Sequence, residues 1–236
     1  MSSRFFRQLE VADRKTRYSR NIPALTEEEC ALLQTKRIAI IGCGGLGGHL
    51  IDLAARIGFG AIRAVDGDVF EESNLNRQLL CDCSQLGKSK AQAAAAYIHR
   101  VNPQISCEGI AVMLNADNAA ELLAGCDLVF DALDSIESRR LLAYAAAASN
   151  LPVAYGAIRG WVAQAALYLP EEPLIDLLYP PDARLSDKSA LAFTPALCAA
   201  LQMSLAVKYL CGRPVSTGTL YYADLLNLET ATLSLR

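Results

Sequence analysis

The sequence predicts an α/β fold, a doubly wound, Rossmann-like and mostly parallel sheet with helices on both faces, extended by C-terminal antiparallel strands. Apolar runs of strand length alternate with helical patterns between residues 36 and 157, which is typical of βαβ units. After residue 157 the runs 161–170 and 217–235 alternate polar and apolar residues, which favours antiparallel strands. A glycine-rich stretch at 42–47 stands between the first strand and the first long helix.

The elements are predicted in chain order from these patterns. Residues 1–35 are polar and helical, with Thr26 as a helix N-cap. The alternating region is then expected as strand 36–42, helix 42–58, strand 61–66, helix 86–103, strand 105–113, helix 115–126, strand 127–133, helix 138–150 and strand 151–157.

Three further segments complete the predicted organisation. Residues 171–190 form a proline-containing loop, and loops of this length in compact domains are usually functional. The helix at 195–212 is apolar nearly all round, which predicts burial in the core or against another subunit. We therefore expect an N-terminal helical segment, 1–35, and one domain, 36–236. That domain has a nucleotide-binding half, 36–157, and a second half, 158–236.

Composition and charge exclude several classes of protein. The chain has 236 residues, 53% of them apolar and 20% charged, which predicts a well-packed globule. A formal charge of −3 argues against nucleic acid as a partner, and apolar runs broken by Arg, Asp or Pro argue against a membrane. The N-terminus has no secretory signal, so we expect a cytoplasmic protein with reduced cysteines. The 8 cysteines lack zinc-ligand spacing, so no structural zinc is expected.

The stretch GCGGLG (42–47) fits a phosphate-binding turn between a strand and a helix. Gly42 allows the tight turn, Gly44 lets the backbone approach a phosphate, and Gly47 permits close helix packing. Asp66 ends the next strand, where a carboxylate accepts hydrogen bonds from ribose hydroxyls. These features alone suit a dinucleotide such as NAD, but they leave the polar stretch ESNLNRQ (72–78) unexplained.

That polar stretch predicts a triphosphate site. Arg77 is a forked donor for phosphate oxygens, and Gln78 is a neutral donor beside it. Asn74 and Asn76 either orient each other or face the phosphates. The other candidate charged groups are two cations near a helix start, a carboxylate suited to Mg²⁺ at a strand end, and an arginine on the following helix: Lys88, Lys90, Asp134 and Arg139.

Each of these residues also has a purely structural interpretation. Lys88 and Lys90 also fit a solvated helix start. Asp131 also fits a turn or capping role, and Asp134 an N-cap. Arg77 also suits a surface ion pair. The triphosphate hypothesis is favoured because several phosphate and magnesium ligands occur together near the carboxyl ends of successive predicted strands.

These residues resemble the ThiF/MoeB/HesA group of adenylating enzymes, which are relatives of ubiquitin-activating enzymes. The resemblance covers about residues 17–236 and is carried by several motifs: RYSRN (17–21), GCGGLG (42–47), DGD (66–68), SNLNRQ (73–78), GKSKA (87–91), the aspartates and arginine of 131–139, PVAYGAIRGWVAQ (152–164) and the closing strands 217–235. The conjunction of SNLNRQ with the glycine loop and the paired aspartates is far more specific than the loop alone.

The resemblance implies ATP and Mg²⁺ as cofactors and assigns roles to individual residues. Gly42, Gly44, Gly45 and Gly47 would bind the nucleotide, and Asp66, with Asp68 nearby, would hold the ribose. Asn74, Arg77 and Lys90 would bind phosphates, with Asn76 and Gln78 beside them. Asp134 would bind Mg²⁺, and Arg20 would reach the ATP of a partner subunit in a homodimer.

The resemblance also implies a substrate, the C-terminal glycine of a small ubiquitin-like sulfur carrier ending in Gly-Gly. Its carboxylate is ionised at neutral pH and needs no general base, only cations that suppress repulsion between anions. The zinc-binding C-x-x-C pairs of many relatives are absent, and residues 170–190 contain no cysteine. Cys198 is expected to be buried, so catalysis is expected to stop at the acyl adenylate.

Three alternatives remain open at the level of sequence. One is an NAD-dependent oxidoreductase, supported by residues 42–66 alone. Another is adenylation of a peptide or tRNA-linked carboxylate on the same fold. A third is a non-catalytic binding protein that retains the fold.

Overall fold

A computed structural model describes residues 17–172, 174–184, 187 and 189–235. The helical character predicted for residues 1–16 lies outside this range. The strands are β1 (Arg37–Ile41), β2 (Ala61–Val65), β3 (Ser106–Ile110), β4 (Leu128–Asp131), β5 (Val153–Arg159), β6 (Val162–Tyr168), β7 (Thr219–Asp224) and β8 (Glu229–Ser234). The helices are α1 (Glu27–Leu33), α2 (Gly45–Ile57), α3 (Lys90–Val101), α4 (Ala119–Leu123), α5 (Ile136–Ala148), α6 (Leu174–Leu178) and α7 (Phe193–Leu210).

The strands form one eight-stranded sheet in the order β3-β2-β1-β4-β5-β6-β7-β8. The five strands from β3 to β5 are parallel, and each pairing from β5 to β8 is antiparallel. The predicted α/β class, with a parallel part and antiparallel C-terminal strands, is therefore confirmed. In this topology the carboxyl ends of β1, β2, β4 and β5 meet at one edge, where open α/β sheets bind ligands.

Helices cover both faces of the sheet because successive strand residues point to opposite sides. On one face, residues of α2, α3 and α7 pack over alternate positions of β1, such as Ile38 and Ile40. On the other face, residues of α4, α5 and α6 pack over Ala39 and Ile41. The central parallel strands β1 and β4 are buried on both faces, which explains their nearly continuous apolar sequence.

Helix α7 is buried much as its composition predicts. It has 18 residues with a mean hydropathy of 1.2, which is long and apolar enough to cross a membrane by length and composition. Half of it is buried inside the protein, where it packs against α2, β5 and β6. Its length and hydropathy are those expected of a core helix, so they carry no argument for a membrane span.

Local capping decides where several predicted elements begin. Thr26 and Glu29 form a capping box at α1, as the sequence predicts for Thr26. The helix predicted from residue 86 begins only at Lys90, because Gly87 has a φ of +77° and Ser89 supplies the N-cap. At α5 the N-cap is Ser135, whose hydroxyl accepts from the Ser138 amide, so the capping role considered for Asp134 is wrong.

The segment predicted as the loop 171–190 contains one short helix. α6 has five residues, and Leu174 and Ile175 on it are buried against the sheet. The prolines of this segment favour a loop, and a five-residue helix is too short to show a periodic pattern in the sequence. Tertiary packing against α5 compensates for this weak local preference.

Candidate functional site

A cleft of about 270 Å³ opens at the carboxyl edge of the sheet, above β1, β2, β4 and β5. The glycine loop forms its floor, and residues before and within α3 and α5 form its sides. Ten residues singled out in the sequence line it: Gly42, Gly44, Gly45, Asp66, Asp68, Arg77, Gln78, Lys90, Asp134 and Arg139. They come from five separate parts of the chain, so the fold assembles the cluster that the motifs suggested.

The glycine loop is shaped by two close backbone contacts. Gly42 has a φ of +98°, and a Cβ there would lie 2.5 Å from the Ala132 carbonyl oxygen. A Cβ on Gly47 would lie 1.8 Å from the Gly42 carbonyl oxygen, so only glycine fits at this position of α2. No side chain caps α2 at Gly44, and its first amides lie beside the cleft. A helix N-terminus presented in this way attracts an anion such as phosphate.

Asp66 ties this loop to the end of β2. Its Oδ2 accepts from the Cys43 amide at 2.7 Å, and its Oδ1 accepts from the Asp68 amide at 2.8 Å. Burial raises the pKa of the Asp66 carboxyl above its usual value, although both amide hydrogen bonds oppose that rise. Asp66 thus holds the loop in place and also lines the cleft, where an acceptor is available to a ribose hydroxyl.

Lys90 brings a nearly buried positive charge to the cleft. Its side chain is 9% exposed, and Nζ lies 3.0 Å from Asp68 Oδ2. The Lys90 amide also donates to the Asp68 carbonyl at 3.0 Å, which positions the start of α3. Lys88 is exposed and does not line the cleft, so the structure distinguishes the two lysines that the sequence grouped together.

Arg77 and Gln78 place two further donors on the wall. Arg77 Nη1 donates to the Ser73 carbonyl and to Asn76 Oδ1, each at 2.9 Å. Arg77 therefore has no carboxylate partner among the described ion pairs, contrary to the surface-pair alternative. Gln78 is 6% exposed, and within the described part of the chain its Oε1 is buried without a hydrogen-bond partner. An unsatisfied buried amide oxygen at a cleft is a position where a ligand donor would bind.

Three other predicted residues lie away from the wall. Asn74 is buried in the turn Glu72–Asn74, where its Oδ1 accepts from the Glu71 amide at 3.1 Å. Asn76 is exposed, and its Nδ2 donates to the Ala190 carbonyl at 3.3 Å. Arg20 is exposed on the short turn Ser19–Asn21. The cleft of a single chain does not include these three side chains.

Arg139 lines the cleft, but its charge is already paired. It is 5% exposed, and its Nη1 donates to Asp131 Oδ2 and to the Gly156 carbonyl, each at 2.8 Å. Asp131 is fully buried, and its burial raises the pKa of its carboxyl despite the nearby guanidinium. Arg139 therefore braces the junction of β4, β5 and α5, and the suggestion that it contacts phosphate as a free cation is not supported by its position.

Asp134 lines the cleft just beyond β4, within the loop that leads to α5. No group of three His, Cys, Asp or Glu side chains comes together within the described ranges. A divalent cation here would take its other ligands from a phosphate or water, as Mg²⁺ usually does.

Sequence reasoning missed several residues of the cleft that come from the second half of the chain. These include an exposed arginine at the end of β5 and residues that follow α6: Arg159, Tyr179, Asp187, Ser189 and Ala190. Arg159 lies in the stretch GAIRG (156–160), and no local sequence pattern indicates that the residues after α6 turn back over the cleft.

The cysteines are all free thiols. Cys198 is 0% exposed and donates to the Gln164 carbonyl at 3.1 Å, as expected for a buried residue. Burial raises the pKa of the Cys198 thiol to about 12, which disfavours the nucleophilic thiolate at neutral pH.

Comparison with known proteins gives relatives over nearly the whole chain. The SAMP-activating enzyme E1 of Haloferax volcanii is 32% identical over 93% of this chain and 85% of its own. The sulfur carrier protein adenylyltransferase of Thermus thermophilus is 32% identical over 93% of this chain and 87% of its own. The probable adenylyltransferase/sulfurtransferase MoeZ of Mycobacterium tuberculosis is 36% identical over 66% of this chain, which spans 41% of that longer relative.

Solved structures of similar shape include E. coli MccB with MccA-N7isoASN, with a TM-score of 0.81 and 21% identity over 94% of this chain and 72% of that one. PaaA has a TM-score of 0.79 at 21% identity, and the match covers 94% of this chain and 74% of PaaA. These two likenesses concern the fold. The family model described as ThiF family matches residues 18–236, and the chain therefore belongs to the ThiF family of adenylating enzymes.

Proposed function

We propose that this protein uses ATP to adenylate the C-terminal glycine of a small ubiquitin-like sulfur-carrier protein, giving an acyl adenylate and pyrophosphate. The observation that carries the proposal is that Arg77, Lys90 and Asp134 line the same cleft as the N-terminal amides of α2. Such a wall suits a polyphosphate, whereas a nicotinamide needs a flat apolar pocket. The names of two relatives that match 93% of this chain support a carrier protein as the substrate.

In the proposed reaction a carboxylate oxygen of the carrier attacks the α-phosphorus of ATP. The new bond joins that oxygen to the α-phosphorus, and the bond from the α-phosphorus to the bridging oxygen breaks. Pyrophosphate leaves with that electron pair, and no proton needs to be removed because the carboxylate is already ionised. Arg77 and Lys90 lower the repulsion between the two anions and stabilise the charge on the leaving group.

Asp134 is the residue proposed to hold Mg²⁺. A single carboxylate beside a space for phosphates fits the usual Mg²⁺ site, which combines one or two carboxylates with substrate phosphates and water. The ion would supply further neutralisation of the phosphate charge. Asp66 and Asp68 contribute differently, because Asp66 orders the glycine loop and Asp68 fixes the ammonium of Lys90.

The acyl adenylate is the proposed end of the reaction on this chain. Cys198 is buried within α7, and the sequence between residues 170 and 190 contains no cysteine to take the acyl group. A separate nucleophile would then complete the transfer.

We further propose that the protein acts as a homodimer in the cytoplasm. The exposed Arg20 has no place in the cleft of its own chain, which suits contact with a partner subunit. Eight free cysteines suit a reducing compartment. The charge of −3 agrees with a protein partner rather than nucleic acid.

The test is ATP–pyrophosphate exchange with candidate carriers ending in Gly-Gly. We expect label exchange only when the carrier and Mg²⁺ are both present. The matched control is the same carrier with its C-terminal carboxylate converted to an amide, which cannot attack phosphorus. Tight NAD binding without exchange for any carrier would favour the oxidoreductase alternative, and exchange with a short peptide but no carrier would favour the peptide alternative.

A further inference from the structure

We propose that Asn76 is a positioning residue that couples nucleotide binding at Arg77 to the closure of a backbone segment over the cleft. The segment comprises residues 189–194 and is called the clamped segment below. This inference rests on the proposed function, because it assigns ATP to the cleft. It departs from the sequence-based prediction that Asn76 belongs to the nucleotide-binding residues.

Both ends of the Asn76 carboxamide are engaged. Its Oδ1 accepts from Arg77 Nη1 at 2.9 Å, and its Nδ2 donates to the Ala190 carbonyl at 3.3 Å. The two partners fix the orientation of the amide, because a flipped amide would place donor against donor and acceptor against acceptor. Asn76 does not line the cleft, so this arrangement does not place its amide against a phosphate. The bond to Ala190 joins residues 114 positions apart in the chain.

The clamped segment is held from the other side by the turn between β5 and β6. The Gly160 amide donates to the Ser189 carbonyl at 2.8 Å, and Thr194 Oγ1 donates to the Gly160 carbonyl at 2.8 Å. Gly160 has a φ of +53°, which lets its amide and carbonyl face the segment. Ser189 and Ala190 line the cleft, so the segment forms part of its wall. Asn76 is the link between that wall and the polar stretch 72–78.

The physical basis is a chain of hydrogen bonds that runs from a charge to the segment. The guanidinium of Arg77 polarises the Asn76 amide, which strengthens its donation to Ala190. Both hydrogen bonds described for Arg77 use Nη1, so Nε and Nη2 can face a phosphate without breaking the chain. A nucleotide that immobilises Arg77 lowers the entropy cost of keeping Asn76 in place, so the segment becomes more firmly clamped. Linkage requires the reverse as well, so a firmer segment raises ATP affinity.

Hydrogen–deuterium exchange tests the coupling without any carrier protein. The Gly160 amide is the reporter, because its acceptor is the Ser189 carbonyl of the clamped segment. Exchange in the wild type is measured with and without a non-hydrolysable ATP analogue and Mg²⁺. We expect the nucleotide to slow exchange at Gly160 by about fivefold, the lower end of typical coupling between sites. In Asn76→Ala the nucleotide should still bind by calorimetry but no longer slow that exchange.

Asn227→Ala is the matched control, because Asn227 is an exposed asparagine whose amide bonds locally to Asp224. It should behave as the wild type. The proposal is overturned if the nucleotide protects Gly160 equally in Asn76→Ala, or if it binds the wild type without any protection. If calorimetry detects no nucleotide binding to the wild type, the proposed function fails together with this inference, which is a distinguishable outcome.

A second variant tests the reverse direction and leaves Arg77 and Asn76 untouched. Thr194→Val removes one bond that holds the clamped segment to the turn, while keeping the shape of the side chain. We expect ATP affinity to fall by about fivefold, by the reciprocity of linkage. Thermal unfolding checks that the variant is folded at the assay temperature. An unchanged ATP affinity in a folded Thr194→Val protein contradicts the proposed coupling.

Discussion

Lys88 and Lys90 show how much two positions in the chain change the environment of a side chain. Lys88 is exposed before α3, whereas Lys90 is nearly buried and lies 3.0 Å from Asp68. Burial of an ammonium is costly unless a partner compensates it, so the ion pair with Asp68 is what allows Lys90 to lie buried at the cleft. At the residue scale the fold separates a buried lysine at the cleft from a solvated one outside it.

We predict that Lys90→Ala weakens ATP binding by about 10- to 100-fold, the value of a charge-assisted hydrogen bond to phosphate. Lys88→Ala removes the same charge two residues earlier, before the start of α3, and should change ATP affinity by less than about twofold. Calorimetric titration with ATP and Mg²⁺ measures both. Equal losses in the two variants would mean that net charge, rather than position, decides affinity.

Asn74, Arg139 and Asp131 show where reasoning at this scale reached its limit. Their residue types predict hydrogen bonding or ion pairing, but the type of a side chain does not determine which partner it contacts in the fold. Arg139 reaches back to Asp131 at 2.8 Å only because β4 and α5 are adjacent in the fold. Asn74 caps a turn of its own segment, which is a common local use of asparagine.

At the scale of elements, the glycine loop joins β1 to α2 with little room to spare. Gly47 and Gly48 are neighbours in the first turns of α2, yet they face different surroundings. A Cβ on Gly47 would meet the Gly42 carbonyl oxygen at 1.8 Å, whereas one on Gly48 would make ordinary contacts with Leu79 and Leu80 at 3.5 to 3.6 Å. Of these two glycines, only Gly48 can therefore be replaced by a residue with a side chain.

We predict that Gly47→Ala lowers the free energy of unfolding by about 3 kcal/mol, because overpacking against backbone forces the loop to move. It should also abolish measurable ATP binding. Gly48→Ala should be neutral or raise stability by up to about 1 kcal/mol, since alanine is the better helix former. Urea unfolding with calorimetric titration compares the pair. Normal ATP binding by Gly47→Ala would show that the loop geometry is not needed.

At the scale of the whole molecule, the N-terminal part of the chain is tied to the end of α7. Glu29 of α1 accepts from Arg213 through both carboxylate oxygens, across 184 positions. The Arg213 guanidinium, together with the Thr26 amide, lowers the pKa of the Glu29 carboxyl from 4.5 to about 2. A lowered pKa in the folded state stabilises the protein only while the carboxyl is ionised.

We predict a specific loss of stability in acid from this contact. The contribution of Glu29 is fully present above pH 4.5 and disappears as the pH falls from there to about 2. Glu29→Gln should therefore be less stable than the wild type at neutral pH. The difference in free energy of unfolding between the two proteins should shrink towards zero near pH 2. Urea unfolding at a series of pH values measures it. A difference independent of pH would show that the charge of Glu29 is not responsible.

We also predict complementation between subunits, which tests the proposed role of Arg20. Arg20→Ala and Arg77→Ala should each be nearly inactive alone in pyrophosphate exchange. When the two variants are co-expressed, about half of the dimers contain one subunit of each. One of the two sites in each such dimer is intact, so about a quarter of wild-type activity should return. Sedimentation checks that the mixed species is a dimer. No recovery in a proven mixed dimer would place the action of Arg20 within its own subunit.

The sequence by itself determined the alternation of strands and helices, the glycine loop, the N-cap at Thr26 and the family, because periodicity, capping and motif spacing are properties of neighbouring residues. Only the tertiary structure decided that Lys90 and not Lys88 lines the cleft, that Arg139 serves Asp131, and that Asn76 reaches Ala190. The physical reason is that hydrogen bonds and ion pairs act over about 3 Å, so their partners are set by how distant segments meet in space.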